Sequence, residues 1–172
     1  MKMPTLALLR HAKSSWDQAS LSDFDRPLNE RGKKAAPEMG RVLHDLKFAP
    51  DLILCSPSTR TRQTLDLVLP CLKGPAPTIQ FDNDLYHASA ASLLDQMRSL
   101  DDKLRSVLVV GHNPGLHALA LTLAGEGGTD DLTHLTSKFP TAALALLSFT
   151  NPRWRDTGPA KGWLEAFVVP ER

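Results

Sequence analysis

Three short apolar runs each stop abruptly at residues that can hold an anion, and this pattern constrains the fold more than any other sequence feature. The predicted strands occupy residues 5–9, 51–55 and 106–110. A run that is apolar on both faces is typical of a strand buried in a parallel sheet. Arg10-His11 follows the first strand, Ser56-Pro57-Ser58-Thr59-Arg60 the second, and Gly111-His112 the third. The sequence therefore predicts buried strands with polar residues at their carboxyl ends.

Helical patterns alternate with these strands. Asn29 stands at a helix N-cap position, and apolar residues recur behind it at helical spacing as far as Leu46. Pro37 interrupts this pattern and predicts a kink or a restart. Further helices are expected from Ser56-Pro57 to about residue 69, over residues 89–100 and over residues 116–124. The alternation predicts an α/β fold of three layers, a mostly parallel sheet with helices on both faces.

The remaining segments complete this sheet. Residues 78–81 predict a weak strand, and residues 142–149 and 163–169 predict two closing strands. The glycine-rich and acidic residues 125–131 predict a loop, and His134 is also expected in a loop. A length of 172 residues suits one domain that spans residues 1–172.

Composition excludes several classes of protein. Lys and Arg number 20 against 19 Asp and Glu, so the net charge of +1 lacks the basic excess of a nucleic-acid-binding protein. The apolar runs are too short for a membrane span or a signal peptide. Two cysteines, Cys55 and Cys71, do not make a secreted disulfide framework. We therefore expect a cytoplasmic protein that contacts neither nucleic acid nor membrane.

The polar residues at the strand ends indicate a phosphate site. Ligands of open α/β sheets bind beyond the carboxyl ends of the strands. If the three strands are neighbours, Arg10, His11, Arg60 and His112 converge on one pocket. An arginine fork matches the oxygens of a phosphoryl group, and a helix N-terminus also favours an anion. Each residue taken alone is more often a surface or turn residue, but their joint occurrence favours phosphate binding.

Other chemistries do not match the spacing. A cysteine-based phosphatase needs about five residues between its cysteine and its arginine. Only four residues separate Cys55 from Arg60. The chain has neither a Walker loop nor a Gly-x-Gly-x-x-Gly motif. It also lacks a His-Glu-x-x-His motif, and His112 and His117 are spaced poorly for one helix face. The sequence implies no cofactor and no metal.

Four motifs occur in a characteristic order. They are Leu8-Leu9-Arg10-His11-Ala12-Lys13, Arg26-Pro27-Leu28-Asn29-x-x-Gly32, Ser56-Pro57-x-x-Arg60-x-x-Gln63-Thr64 and Val109-Val110-Gly111-His112-Asn113-Pro114. Together they resemble the histidine phosphatase (phosphoglycerate mutase-like) superfamily, and within it the compact SixA-type phosphohistidine phosphatases. The resemblance covers roughly residues 6–124. It implies a phosphoglycerate mutase-like fold without a lid subdomain.

The resemblance also implies a role for each matching residue. His11 corresponds to the nucleophile that becomes phosphorylated. Arg10, Arg60 and His112 match the residues that hold the phosphoryl oxygens, and Arg26 matches a further phosphate-contacting arginine of the SixA group. All five residues are thereby predicted to line the phosphate site.

The immediate surroundings of His11 carry two further expectations. Nearby positive charge should keep His11 neutral, and its second ring nitrogen should donate to a carbonyl, which fixes the tautomer. The chain has Ala12 where the superfamily has glycine. An alanine forced to a positive φ would cost about 1 kcal/mol, so we expect an ordinary backbone conformation at this position.

The general acid is the least determined part of the prediction. Larger members of the superfamily use a carboxylate to protonate the leaving group. The candidates in this chain are Asp23, Asp25 and Asp84, with His87 a less favoured fourth. A phosphohistidine whose imidazole is protonated leaves readily, so an enzyme that cleaves it needs little help from an acid.

The predicted function is a phosphatase that acts through a phosphohistidine enzyme intermediate on a phosphohistidine-bearing partner protein, either a phosphotransfer domain or a phosphocarrier. The connections over residues 82–88 and 125–141 are short, and a site without a lid can admit a protein substrate. Lys13, Trp16 and Arg26 are candidates for its rim. A phosphomonoesterase or phosphomutase with a small phosphorylated substrate remains an alternative, as does a non-catalytic phosphoprotein-binding module.

Overall fold

A computed structural model describes residues 2–171, which form one seven-stranded sheet flanked by five helices. In chain order the elements are β1 (Thr5–Arg10), α1 (Glu30–Asp45), β2 (Leu52–Cys55), α2 (Thr59–Val68), β3 (Thr78–Phe81), α3 (Ala90–Arg98), β4 (Ser106–Gly111), α4 (Gly115–Leu123), β5 (Ala124–Gly127), α5 (Thr129–Ser137), β6 (Leu144–Phe149) and β7 (Gly162–Val168). The strand order is β3-β2-β4-β1-β6-β7-β5.

The sheet is mostly parallel, as the sequence predicts. β3, β2, β4 and β1 run parallel to one another, β6 is antiparallel to β1 and β7, and β5 is parallel to β7. In the register Arg10 lies opposite Gly111, and Cys55 lies opposite Val110. The three strands that end in polar residues are therefore neighbours whose carboxyl ends lie at the same level.

Helices cover both faces of the sheet and create two cores. On one face, α1 and α2 contribute Ala36, Met39, Leu43, Leu65 and Val68. On the other face, α3, α4 and α5 contribute Leu93, Met97, Leu116, Leu119, Leu123 and Leu135. The central strands β1, β2 and β4 are buried on both sides, which explains their mostly apolar sequence. The predicted three-layer α/β class is confirmed.

Helix α1 does not restart at Pro37, so this one of the two outcomes predicted there is wrong. Asn29 caps the helix, because its side chain accepts a hydrogen bond from the Gly32 amide at 2.9 Å. The helix then passes Pro37 and continues to Asp45. A proline inside a helix costs about 3 kcal/mol, whereas full burial of a large apolar side chain stabilises by about 1.5–3 kcal/mol. Met39 and Leu43, both fully buried, offset the lost hydrogen bond.

The predicted loop over residues 125–131 is wrong, because the segment contains most of β5 and the start of α5. A Cβ atom on Gly125 would lie 2.2 Å from the carbonyl oxygen of Ala160. This glycine therefore marks a close approach of two backbone segments rather than a turn. His134, which was expected in a loop, lies on α5. Only Leu135 is buried among the residues of this helix, so its apolar periodicity is weak.

The segments that could carry a lid hold no inserted subdomain in the described part of the chain. The connection from β3 to α3 is a short turn, and β5 and α5 belong to the main sheet and its helical layer. In the range 2–171 every helix is too short or too polar to cross a bilayer.

Candidate active site

The carboxyl ends of β1, β2 and β4 surround a cavity of about 270 Å³. All five residues that the sequence motifs single out line it: Arg10, His11, Arg26, Arg60 and His112. The other residues that line it are Lys13, Ser14, Trp16, His87, Asn113 and Thr141. Arg60, His112, His11 and Arg26 are only 4–7% exposed. The convergence predicted from the strand ends is present, so two imidazoles and three guanidiniums face one small space.

The His11 ring is held in one tautomer. Its Nδ1 lies 2.7 Å from the carbonyl oxygen of Ala12. Since a carbonyl oxygen only accepts hydrogen bonds, Nδ1 carries the proton and Nε2 keeps its lone pair. Burial lowers the pKa of His11 from 6.5 to about 3, and the charges of Arg60 and Arg10 act in the same direction. His11 is therefore a neutral imidazole with one nitrogen available for attack.

The loop after His11 fits tightly against α1 and α2. Ala12 does not have a positive φ, which confirms the expected ordinary backbone. Its amide donates to Thr64 Oγ1 at 3.0 Å, and the Thr64 hydroxyl donates to the carbonyl of Arg60 at 2.7 Å. A Cβ atom on Gly32 would lie 2.2 Å from the carbonyl oxygen of Lys13. Thr64 and Gly32 thus fix the loop that aims His11.

Asp23 bridges two of the arginines. Its Oδ1 accepts from Arg26 Nη2 at 3.0 Å, and its Oδ2 accepts from Arg60 Nη2 at 3.1 Å. Tyr86 donates to Oδ2 at 2.5 Å. The hydrogen bond from Tyr86, followed by those from the arginines, holds the pKa of Asp23 well below its usual range. An ionised carboxylate in this position orients the guanidiniums but has no proton to donate.

The other two carboxylates proposed as general acids lie away from the cavity. Asp25 accepts a hydrogen bond from Ser22 Oγ at 2.8 Å. Asp84 is exposed in the turn Asn83–Leu85 that follows β3. Neither residue lines the cavity. Asp23 does not line the cavity either, but it is hydrogen-bonded to Arg26 and Arg60, which do.

His112 is the second neutral imidazole. Its Nδ1 lies 3.4 Å from Arg60 Nη2, and its Nε2 lies 2.7 Å from Ser56 Oγ. Because a guanidinium only donates, Nδ1 holds the lone pair, and Nε2–H donates to Ser56. Burial, assisted by the charge of Arg60, lowers the pKa of His112 from 6.5 to about 3. The two imidazole rings lie 5.3 Å apart between centroids.

Arg10 and Arg60 retain unsatisfied donors. Arg10 Nη1 donates to the carbonyl of Phe139 at 3.1 Å, which also accepts from Asn113 Nδ2 at 2.8 Å. The Nε atoms of Arg10 and Arg60 are buried without a hydrogen-bond partner among the described residues. A buried unpaired donor costs about 1–3 kcal/mol, so an anion that reaches these guanidiniums would relieve a real penalty.

Two side chains for which the sequence predicted no role support the site. Ser56 holds His112, and Tyr86 holds Asp23. His87, the less favoured candidate for the general acid, lines the cavity in a left-handed backbone conformation, with φ at 58°, and its Nε2 lies 3.6 Å from Asp23 Oδ2. The position of Tyr86 in the connection after β3, at the same sheet edge, is the signal that could have identified it.

A metal centre receives no support from the geometry. Within residues 2–171, no group of three or more His, Cys, Asp or Glu side chains is arranged to hold a metal ion. Burial raises the pKa of the Cys55 thiol to about 12, so it remains a protonated, packed side chain. The chemistry available at this edge is that of imidazoles and guanidiniums.

Comparison with known proteins identifies the family to which the chain belongs. The family model of the histidine phosphatase superfamily (branch 1) matches residues 6–88. An uncharacterized Mycobacterium tuberculosis protein, Rv1276c, is 36% identical over 164 residues, which cover 94% of this chain and 99% of that protein. The crystal structure assigned to phosphohistidine phosphatase SixA from Agrobacterium tumefaciens superposes with a TM-score of 0.81 at 32% identity, covering 99% of this chain and 100% of the other. The corresponding SixA structure from Nakamurella multipartitia gives 0.84 at 28% identity, covering 99% and 98%. The chain is a member of the histidine phosphatase superfamily.

Proposed function

We propose that the protein is a phosphatase that removes the phosphoryl group from phosphohistidine in a partner protein, through a phosphorylated His11. The observation that carries the proposal is the neutral His11 ring, with Nδ1 hydrogen-bonded to Ala12 and with Arg10, Arg60 and His112 around the same cavity. Binding of an anion alone needs the guanidiniums but not a neutral nucleophile among them. This combination favours catalysis over a non-catalytic phosphoprotein-binding module.

The reaction proceeds in two displacements on phosphorus. In the first, His11 Nε2 forms a bond to phosphorus while the P–N bond of the substrate breaks, and the departing imidazole retains or gains a proton. In the second, water attacks phosphorus, the P–Nε2 bond breaks and its electron pair returns to Nε2, and the proton that the attacking water loses passes to another phosphate oxygen, so inorganic phosphate leaves as the monoanion. Nδ1 remains hydrogen-bonded to Ala12 throughout, so His11 returns to its starting tautomer.

The arginines hold the phosphoryl oxygens during both displacements. Phosphoryl transfer depends on positioning and charge, because the transition state spreads its charge over three equatorial oxygens. Arg10 and Arg60 supply permanent cations, and the Nε donors of both are buried without a hydrogen-bond partner among the described residues. Arg26 adds a third cation, which Asp23 orients. Asp23 is therefore a positioning residue in this mechanism.

His112 donates a hydrogen bond to a phosphoryl oxygen after a tautomer change. In the structure its Nε2–H donates to Ser56 Oγ, and Nδ1 faces Arg60. The Ser56 hydroxyl can rotate and donate to Nε2 instead, because a hydroxyl both donates and accepts. The proton then resides on Nδ1 and is directed to the anion. Ser56 thus positions His112 in either tautomer.

The ionisation and the positions of the carboxylates favour cleavage of a P–N bond over cleavage of a P–O bond. An alkoxide leaving group needs a general acid, whereas Asp23 is ionised and Asp25 and Asp84 lie outside the cavity. A histidine leaving group already carries its proton when its ring is protonated. His87, on the cavity rim beside Asp23, is the nearest group that could exchange a proton with the leaving ring.

A substrate comparison tests the proposal. We expect kcat/KM for a histidine-phosphorylated phosphotransfer domain to exceed that for sugar or glycerate phosphates by orders of magnitude. His11→Ala should abolish turnover, whereas His44→Ala should retain it, because His44 lies on α1 away from the cavity. Much faster hydrolysis of the small phosphates would assign the protein to the phosphomonoesterases instead.

A further inference from the structure

A second cavity of about 720 Å³ adjoins the catalytic cavity. Lys13 and Thr141 line both cavities, so the two are adjacent. From there the second cavity extends between α1, the C-terminal end of α5 and the residues after β7. We name it the basic groove and define it by Lys13, Arg31, Lys34, Lys138, Glu38 and Glu171.

The basic groove is locally cationic. Four Lys or Arg side chains line it against two carboxylates, a larger excess than the net charge of +1 of the whole chain. Glu38 Oε1 accepts a hydrogen bond from the amide of Glu171 at 2.9 Å. Among residues 2–171, none of the four cations forms an ion pair with a carboxylate. These charges are therefore available to an external anion.

The basic groove is also lined by apolar side chains. They include Pro140, Phe167 and Val169, and Val169 is 47% exposed. A lining that combines cations with apolar side chains fits a protein surface that presents both acidic and apolar side chains. A small polyanion would use the cations but would leave the apolar side chains uncovered.

We propose that the basic groove docks an acidic surface of the histidine-phosphorylated partner protein, next to its phosphohistidine. The proposal rests on the proposed function. A phosphohistidine that enters the catalytic cavity places its neighbouring residues over Lys13 and Thr141, because these two residues line both cavities. Side chains farther from the phosphohistidine then reach Lys34 and Lys138.

The effect of the groove should be largest on association with a protein substrate. Charges at the rim of an interface accelerate encounter and make it sensitive to salt. Electrostatic steering of this kind changes association rates by roughly 10- to 1,000-fold. We expect removal of three groove cations to reduce kcat/KM for a protein substrate about tenfold at low ionic strength, with a much smaller reduction at high salt.

The experiment compares two triple variants that remove equal charge. Arg31→Gln/Lys34→Gln/Lys138→Gln changes the groove, and Lys33→Gln/Lys103→Gln/Lys161→Gln changes cations outside both cavities. Each is assayed on a phosphotransfer domain whose phosphohistidine is flanked by Asp and Glu side chains, on the same domain with those carboxylates converted to amides, and on free phosphohistidine.

The groove variant should lose activity only on the acidic domain, and the control variant should match the wild type within about twofold. Equal activity of the two variants on the acidic domain would overturn the proposal. A parallel loss on free phosphohistidine would also overturn it, since the groove would then be a small-ligand subsite. Failure of the proposed function is distinguishable, because wild-type protein would then fail to cleave the phosphorylated domain at all.

Discussion

Ser56→Ala removes one hydroxyl, and its effect on rate and stability can be worked out from the structure. Ser56 is fully buried, and its Oγ lies 2.7 Å from His112 Nε2. Without it, one nitrogen of His112 stays buried and unpaired in either tautomer, which should lower the free energy of unfolding by about 1–3 kcal/mol. A neutral hydrogen bond contributes about 0.5–1.5 kcal/mol. If that support is lost in the transition state, kcat should fall roughly two- to tenfold.

Ser58→Ala is the matched control for this prediction. Ser58 is also fully buried, and its hydroxyl is hydrogen-bonded to Thr61 Oγ1 at 2.6 Å, away from the cavity. Urea unfolding should show a comparable loss of stability for both variants. Steady-state kinetics on a histidine-phosphorylated domain should show reduced kcat only for Ser56→Ala. Equal kcat values for the two variants would refute the positioning role of Ser56.

Three further predictions concern the charged groups of the site. Arg60→Ala should reduce kcat/KM by about 10²–10³-fold, as for other preorganised charge donors. Arg60→Lys should restore only part of the lost kcat/KM, since lysine lacks the two-pronged guanidinium. Steady-state kinetics with each variant measure both effects. Asp23→Asn should reduce kcat/KM about tenfold by misplacing the arginines, since hydrogen bonds to a partly exposed carboxylate are weaker than buried ones. It should not change the shape of the pH–rate profile. The control Asp25→Asn should change neither kcat/KM nor the profile. An altered basic limb in Asp23→Asn would identify Asp23 as a proton donor. Because the pKa values of His11 and His112 fall from 6.5 to about 3 on folding, the unfolded chain binds more protons in that window; the free energy of unfolding should therefore decrease as the pH falls from 6.5 toward 3. Urea titrations should show a shallower dependence in His112→Asn, and an unchanged slope would contradict the burial of a neutral ring.

The sequence predicted the central part of the fold because its strands carry strong local signals. β1, β2 and β4 are buried on both faces, so each is an unbroken apolar run. Their polar termini then follow from the general position of ligands in such sheets. The segment that contains β5 and α5 was missed because its stabilisation is tertiary. β5 pairs only with β7, and α5 buries a single residue, so neither leaves a clear period in the sequence.

The support of the site was less predictable than its principal residues. Tyr86 and Asp23 are 63 residues apart, and Ser56 and His112 are 56 apart. Contacts between residues so far apart in the sequence leave no local pattern from which they could be predicted. Asp23 illustrates the consequence: as a loop aspartate in the sequence it could be an acid, a cap or a solvated residue. Two arginines and a tyrosine around its carboxylate make it an ionised anchor for Arg26 and Arg60.

The transfer of the phosphoryl group to His11 Nε2 is tested most directly by trapping the intermediate. Protein quenched within milliseconds of mixing with a histidine-phosphorylated domain should carry one phosphoryl group, located on His11 by mass spectrometry. That group should be labile in acid and stable in alkali, it should appear in His44→Ala, and it should be missing from His11→Ala. A phosphoryl group on another residue, or an equal yield in His11→Ala, would contradict the account.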